Sequence, residues 1–271
     1  MKIDVLITTM GMQDSDALIK KMNIRGSYII GNQCDRNEVV KTEKGLIVST
    51  DMRGVGQNRN TIIERSVADV CVLADDDMIF CDDYEKIVQN AFDNNPSADV
   101  LIFNFIQNSD GRRVNKITKK VGFCNYMNYG AARIAFRRKS IAYHAIFFNT
   151  MFGGGTPYQC GEDTLFLNAC LKTGLKIIAV PDAVASLSTD RDSTWFHGYT
   201  EKYFYDKGAL FSAMNIRLGL LLCCAVLIKN RKEVLTGSIS LKKAIKLTKA
   251  GYNGYKKRIP FHEDEKVERK H

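Results

Sequence analysis

Three consecutive carboxylates, Asp75-Asp76-Asp77, follow the apolar run Val70-Cys71-Val72-Leu73-Ala74. A short apolar run of this kind predicts a buried strand, so the carboxylates emerge together at its carboxyl end. Crowded negative charges without partners repel one another. A hard divalent cation with oxygen ligands relieves that repulsion and commonly brings phosphate with it. Oxygen donors alone point to Mn2+ or Mg2+ rather than zinc. The plainer alternative is a solvated acidic turn ahead of a helix starting near Asp82-Asp83. Three carboxylates directly after a buried strand favour the metal.

Two further groups of residues could share that chemistry. Arg53-Gly54-Val55-Gly56-Gln57-Asn58-Arg59-Asn60 places two glycines and then polar residues at a helix start, where backbone N–H groups can receive an anion. Arg59 and a metal could then share one diphosphate; as a bare surface cation it would do nothing. Downstream, Gly153-Gly154-Gly155 breaks regular structure and would let a substrate approach Gly154 and Gly155. Gly161-Glu162-Asp163 then opens a helix. Adjacent carboxylates there either cap the helix or supply a general base on a fixed helix end.

The elements that must position these residues alternate. Strands are predicted at Val5–Ile7, Tyr28–Ile30, Leu46–Val48, Val70–Ala74 and Val100–Phe105, with helices at Asp16–Met22, Asn58–Val67 and Tyr84–Phe92 between them. Such alternation predicts an α/β fold, a Rossmann-like α/β/α sandwich with a mostly parallel central sheet. Ligands of such sheets bind beyond the carboxyl ends of the strands, where the aspartates fall. Arg112–Tyr129 reads as a hairpin or loop over the site, Ala131–Phe136 as a strand, and Thr164–Lys172 as a helix closed by Gly174. Lys176–Val180 reads as a strand stopped by Pro181, and Thr200–Leu227 and Leu241–Lys257 as a helical C-terminal appendage. The tail from Glu263 is polar and expected to fray.

The chain has 271 residues, 45% of them hydrophobic and 25% charged, which suits a globular protein with a sizeable core. Its net charge of +9 is concentrated at the C-terminal end, where Lys229, Arg231, Lys232, Lys242, Lys243, Lys246, Lys249, Lys256, Lys257 and Arg258 surround a single acid, Glu233. Eight cysteines form no CxxC pair; Cys71, Cys170, Cys223 and Cys224 lie in apolar surroundings and are expected to be packed thiols. The start, Lys2–Ile7, has no signal-peptide core, and the apolar stretch Leu218–Ile228 is about half the ~20 residues needed to span a bilayer. The expectation is a cytoplasmic protein. Clustered Lys and Arg after an apolar segment add peripheral attachment to an anionic membrane surface on the inner face of the plasma membrane.

Thr8-Thr9 after the first strand, Arg59-Asn60 in a helix, Asp75-Asp76-Asp77 after the aspartate strand and Gly161-Glu162-Asp163 downstream, in this order, resemble family 2 glycosyltransferases with the GT-A fold. The resemblance spans roughly residues 2–190. It implies that the triple aspartate stands at the DxD motif, with Asp77 ligating Mn2+ or Mg2+ and Asp75 or Asp76 on the nucleotide ribose. It places Thr8 and Arg59 against the nucleotide and Asp35 against the base, although Asn32-Gln33-Cys34-Asp35 departs from the family's usual Asp-Xaa-Ser run. It makes Asp163, with Glu162 beside it, the catalytic base of an inverting enzyme. Trp195, the only tryptophan, would stack on a sugar or pack against the core, and His197 would approach the metal or stay on the surface.

The implied organisation is a catalytic domain over 1–190, with a nucleotide-sugar half over about 1–110 and an acceptor half over about 111–190, then a basic helical region over 191–271. The implied activity is transfer of a sugar from a nucleoside-diphosphate donor, a UDP-sugar first among them, to a glycan or lipid-linked acceptor in bacterial envelope or capsule polysaccharide synthesis. A sugar nucleotidyltransferase would share the metal and the sheet, but would release pyrophosphate and need no base. A non-catalytic nucleic-acid-binding protein would explain the net charge, but the basic residues cluster away from the aspartates and no RNA-binding aromatic motif is present.

Overall fold

The computed structural model describes residues 1–106, 114–188, 198–216, 219–229 and 239–261. They form two compact units, one comprising 1–150 and 162–192, the other 151–161 and 193–271.

The first unit is built on a ten-stranded sheet. Its strands are β1 (Ile3–Met10), β2 (Ser27–Gln33), β3 (Glu38–Lys41), β4 (Gly45–Thr50), β5 (Val70–Asp75), β6 (Met78–Phe80), β7 (Val100–Phe105), β8 (Lys119–Val121), β9 (Ile134–Arg137) and β10 (Ile177–Leu187). The order is β3-β4-β2-β1-β5-β9-β7-β10-β6, with β8 also on β10. Strands β1, β2, β4, β5, β7 and β10 run one way; β3, β6, β8 and β9 run against them. The mostly parallel α/β sheet is therefore present, with one antiparallel strand, β9, set between β5 and β7.

Strand alternation divides the core between the two faces. Val5, Ile7, Ile30, Val72 and Ala74 join Tyr84, Val88, Ala91 and Phe92 of α3 (Tyr84–Asn94) in one buried cluster. Gly31, one residue beyond Ile30, faces the other way, against α2 (Val55–Arg65). A Cβ at Gly31 would lie 2.1 Å from Asn58 Oδ1, so glycine is what lets α2 sit this close to β2. Sandwiched this way, the strands read as nearly continuous apolar runs.

Several elements differ from their sequence pattern. β10 does not stop at Pro181 but runs through it, with register shifts against β7 between Ala179 and Ala185. A bulged strand tolerates a residue without an N–H. The Arg112–Tyr129 region holds no hairpin among its described residues: β8 pairs with β10 instead. The segment 131–133 is a 3-10 turn, and the strand begins only at Ile134. The edge strand β3, the three-residue β6 and the short helix α4 (Arg138–Tyr143) carry too little periodicity to announce themselves. Helix α1 (Ser15–Lys21) is capped by Asp14, and α5 (Glu162–Lys172) ends at Gly174, whose φ of +83° suits the expected glycine cap.

The second unit contains α6 (Glu201–Ala213), α7 (Gly219–Lys229) and α8 (Leu241–Lys256). Helices α6 and α8 touch backbone to backbone: a Cβ at Gly251 would meet the Tyr205 carbonyl at 1.9 Å, and one at Gly208 the Thr248 carbonyl at 2.0 Å. Segment 151–161 belongs to this unit. Asp206 Oδ2 accepts from the Gln159 amide at 2.9 Å, and Tyr158 stacks on Phe152 with centroids 4.8 Å apart. Among the described residues no helix is long and apolar enough to cross a membrane. Trp195, His197 and the tail from Glu263 lie outside the described residues.

Candidate active site

Parallel pairing brings the carboxyl ends of β1, β2, β4 and β5 to one edge. Thr8 is in register with both Asp75 and Gly31, and Gln33 with Thr50. At that edge Thr8 Oγ1 donates to Asp75 Oδ1 at 2.8 Å, and Thr9 Oγ1 donates to Asp76 Oδ2 at 2.7 Å. The chain then turns, and the Asp77 carbonyl accepts from the Ser188 amide at 2.7 Å. Two neighbouring threonines thus hold two of the three aspartates. Thr9 enters the sequence resemblance beside Thr8 without a role of its own.

Helix α2 contributes three consecutive side chains, each pinned to a different element. Asn58 Nδ2 donates to the Gly31 carbonyl of β2 at 2.8 Å. Asn60 pairs twice with the Phe148 backbone, donating to its carbonyl at 2.9 Å and accepting from its amide at 2.8 Å. Between them Arg59, only 3% exposed, donates to Asp75 Oδ1 and to Glu162 Oε1, both at 2.9 Å. Its guanidinium also lies 5.3 Å from the centre of the Phe148 ring, which stacks on Phe166 of α5. Burial would lower the Arg59 pKa, but Asp75 and Glu162 outweigh it and hold the guanidinium charged beyond its ordinary range.

This geometry gives Arg59 a structural tie in addition to the nucleotide contact that the resemblance implies. Each terminal nitrogen donates to a carboxylate inside the unit, so the side chain ties the aspartate strand to the start of α5. The glycines before it meet their neighbours closely. The Gly54 amide is taken by Gln33 Oε1 at 2.7 Å, and a Cβ at Gly56 would lie 2.8 Å from the Asn149 carbonyl. The Asn-Arg-Asn triplet carries the signal for these contacts: three polar residues in the buried part of a helix require partners.

Glu162 and Asp163 occupy the first turn of α5, where the helix dipole favours negative charge. Asp163 Oδ1 accepts from the Thr164 amide at 2.6 Å. Its Oδ2 faces Gly130, where a Cβ would lie 3.5 Å away.

On the other side of β1 lies a cleft of about 390 Å³, lined by Met10–Gln13, Gln33–Arg36 and Arg53. Asn32 shapes its wall, pairing both ways with the Met12 backbone at 3.0 and 3.1 Å. Asp35 lines the cleft and ion-pairs with Arg53, with its side chain 97% exposed. Gly154 and Gly155 lie in the second unit, in a turn where Thr156 Oγ1 donates to the Gly153 carbonyl at 2.7 Å.

Among the described residues no group of three or more His, Cys, Asp or Glu side chains is placed to cage a metal. The all-oxygen character of Asp75–Asp77 nonetheless fits Mn2+ or Mg2+. Such ions are commonly held by one or two carboxylates and completed by substrate phosphates.

No family model matches the chain, and no curated protein matches its sequence. Solved structures do match. S. aureus TarS 1-349 in complex with UDP-GlcNAc aligns over 97% of this chain and 93% of its own, with TM-score 0.63 and 13% identity. TarS 1-349 in a second structure aligns over 94% and 83%, with TM-score 0.62 and 13% identity. Mannosyltransferase PcManGT from Pyrobaculum calidifontis, in complex with GDP-Man and Mn2+, aligns over 95% and 82%, with TM-score 0.52 and 12% identity. The chain therefore has the GT-A glycosyltransferase fold.

Proposed function

We propose that this protein is a nucleotide-sugar-dependent glycosyltransferase acting with inversion. The observation that carries the reading is the arrangement around Arg59: the acidic turn at the carboxyl edge of the sheet and the carboxylate pair at the start of α5 share one buried guanidinium. Transfer of a sugar needs two separated chemistries, stabilisation of a diphosphate leaving group and removal of a proton from the acceptor hydroxyl.

The donor would lie across the end of β1. Its base enters the cleft beside Asp35, and its ribose and diphosphate pass Thr8 and the acidic turn. Asp77, with Asp76, would hold Mn2+ or Mg2+; when bound, that ion neutralises charge developing on the departing diphosphate. Asp163 accepts the proton of the acceptor hydroxyl as it attacks the anomeric carbon on the face opposite the diphosphate. The bond to the diphosphate breaks as the new glycosidic bond forms, and the configuration inverts. Glu162, anchored to Arg59, holds the first turn of α5 so that Asp163 stays in place.

UDP-GlcNAc and GDP-Man, bound by the fold neighbours, make UDP-sugars and GDP-sugars the first donors to test. The acceptor is a glycan or lipid-linked sugar of the bacterial envelope or capsule, met at the inner face of the plasma membrane.

The experiment is nucleoside diphosphate release from a panel of nucleotide sugars with Mn2+, with and without EDTA. Metal-dependent release of UDP or GDP is expected. Release of pyrophosphate instead would identify a nucleotidyltransferase.

A further inference from the structure

We propose that α7 and α8 of the second unit form a docking surface for an anionic lipid bilayer, with α7 entering the interface and α8 supplying the charge.

Helix α7 is apolar almost throughout: Gly-Leu-Leu-Leu-Cys-Cys-Ala-Val-Leu-Ile before Lys229. A helix apolar on all sides belongs in a core or a membrane. Here only part of it is covered. Cys223 and Leu227 are buried, and Leu227 joins Phe204 of α6 and Ala244 of α8 in one cluster. Leu221, Leu222 and Val226 stand out at 63%, 47% and 43% exposure. At about 100° per residue these three fall on one side of the helix, away from Cys223 and Leu227. At eleven residues α7 is too short to span a bilayer, but its length suits a helix lying in the interface.

The charge lies on the neighbouring helix. On α8, Ala244, Thr248, Gly251 and Gly254 are buried, while Lys242, Lys246, Lys249 and Lys256 are exposed. Their spacing places all four in one stripe. Lys257 and Arg258 extend it, and 241–261 contains no Asp or Glu. Lys243, beside the stripe, pairs with Glu201 of α6. A cationic stripe without internal acids is complementary to a surface of anionic headgroups, and the apolar side of α7 to the acyl boundary beneath them. A soluble protein partner would match the apolar face, but would need an acidic stripe of its own to match α8.

The surface is independent of the sugar-transfer chemistry, so the two ideas fail separately. The test is co-sedimentation of the full chain with vesicles of phosphatidylcholine alone and of phosphatidylcholine mixed with phosphatidylglycerol, at low and high salt. Wild type should bind the mixed vesicles and not the neutral ones. The triple variant Lys242→Glu/Lys246→Glu/Lys249→Glu should weaken binding by about a hundredfold or more. Leu221→Ser/Leu222→Ser/Val226→Ser should weaken it about tenfold and remove the part that survives high salt. Circular dichroism and nucleotide binding of both variants should match wild type. Equal binding to neutral and mixed vesicles, or undiminished binding by either variant, would overturn the proposal. So would an absence of vesicle binding with self-association that the apolar variant abolishes, which would assign the face to a second copy of the chain.

Discussion

Arg59 decides how the site is organised. A buried guanidinium between two carboxylates is expensive to disturb, because removing it strands buried negative charge. Arg59→Met should therefore lose about 3–5 kcal/mol of stability, measured by urea unfolding. Arg59→Lys keeps the charge but not the forked geometry that reaches Asp75 and Glu162 together. It should fold, bind nucleotide close to normally, and lose turnover about ten- to a hundredfold, since a displaced α5 start costs positioning rather than affinity. A loss confined to KM would instead assign Arg59 to the diphosphate. Asp163→Asn should retain nucleotide binding and lose turnover by about a hundredfold or more; unchanged turnover would reject its role as base. The thiols offer a simpler check. Burial pushes Cys71, Cys170 and Cys223 up to about 12, so native protein should leave them unlabelled by a thiol reagent while exposed Cys124 reacts. Cys224, expected to be packed like Cys223, is only half-buried and should label at an intermediate rate.

At the scale of elements, long apolar runs bounded by turn residues were legible: β1, β2, β4, β5 and β7 follow the hydrophobic pattern of their segments. What escaped was pattern made by partners far away in sequence. β9 enters between β5 and β7 against their direction, and no local feature of Ile134–Arg137 states which neighbours it will have. β10 continues through Pro181 because its pairing can shift register there. The site divided in the same way. Asp75–Asp77 and Glu162-Asp163 stood out by charge, while the Thr8 and Thr9 bonds that hold two of those aspartates depend on a β1–β5 register that only the fold supplies. Glycines give this scale its own test. Gly251→Ala would press a methyl into the Tyr205 carbonyl and should cost about 1–3 kcal/mol, read as a lower Tm. Gly122→Ala meets nothing within 4 Å and should leave Tm almost unchanged. In the same helix pair, burial raises the Asp206 carboxyl above its ordinary 3.8, so the native state retains a proton that the unfolded chain releases. Stability should fall as pH rises from 3.8 through the native pKa, and Asp206→Asn should flatten that slope in a pH series of unfolding curves.

For the molecule as a whole, a GT-A fold admits many donors and acceptors, so the fold alone does not choose the reaction. On the proposed reading the choice falls to residues at the carboxyl edge: a cleft beside Asp35, an acidic turn beyond β5, and a carboxylate pair tied to that turn through Arg59. The measurement that bears most directly on this account is a thermal-shift titration of wild type and Asp77→Ala with UDP-sugars and GDP-sugars in the presence of Mn2+. Ligand at about a hundred times its Kd adds about 2.7 kcal/mol to the native state, a shift well above noise. The account predicts that at least one nucleotide sugar raises the Tm of wild type only when Mn2+ is present, and that Asp77→Ala loses most of that rise. No stabilisation by any nucleotide sugar, or an equal rise in Asp77→Ala, would contradict it.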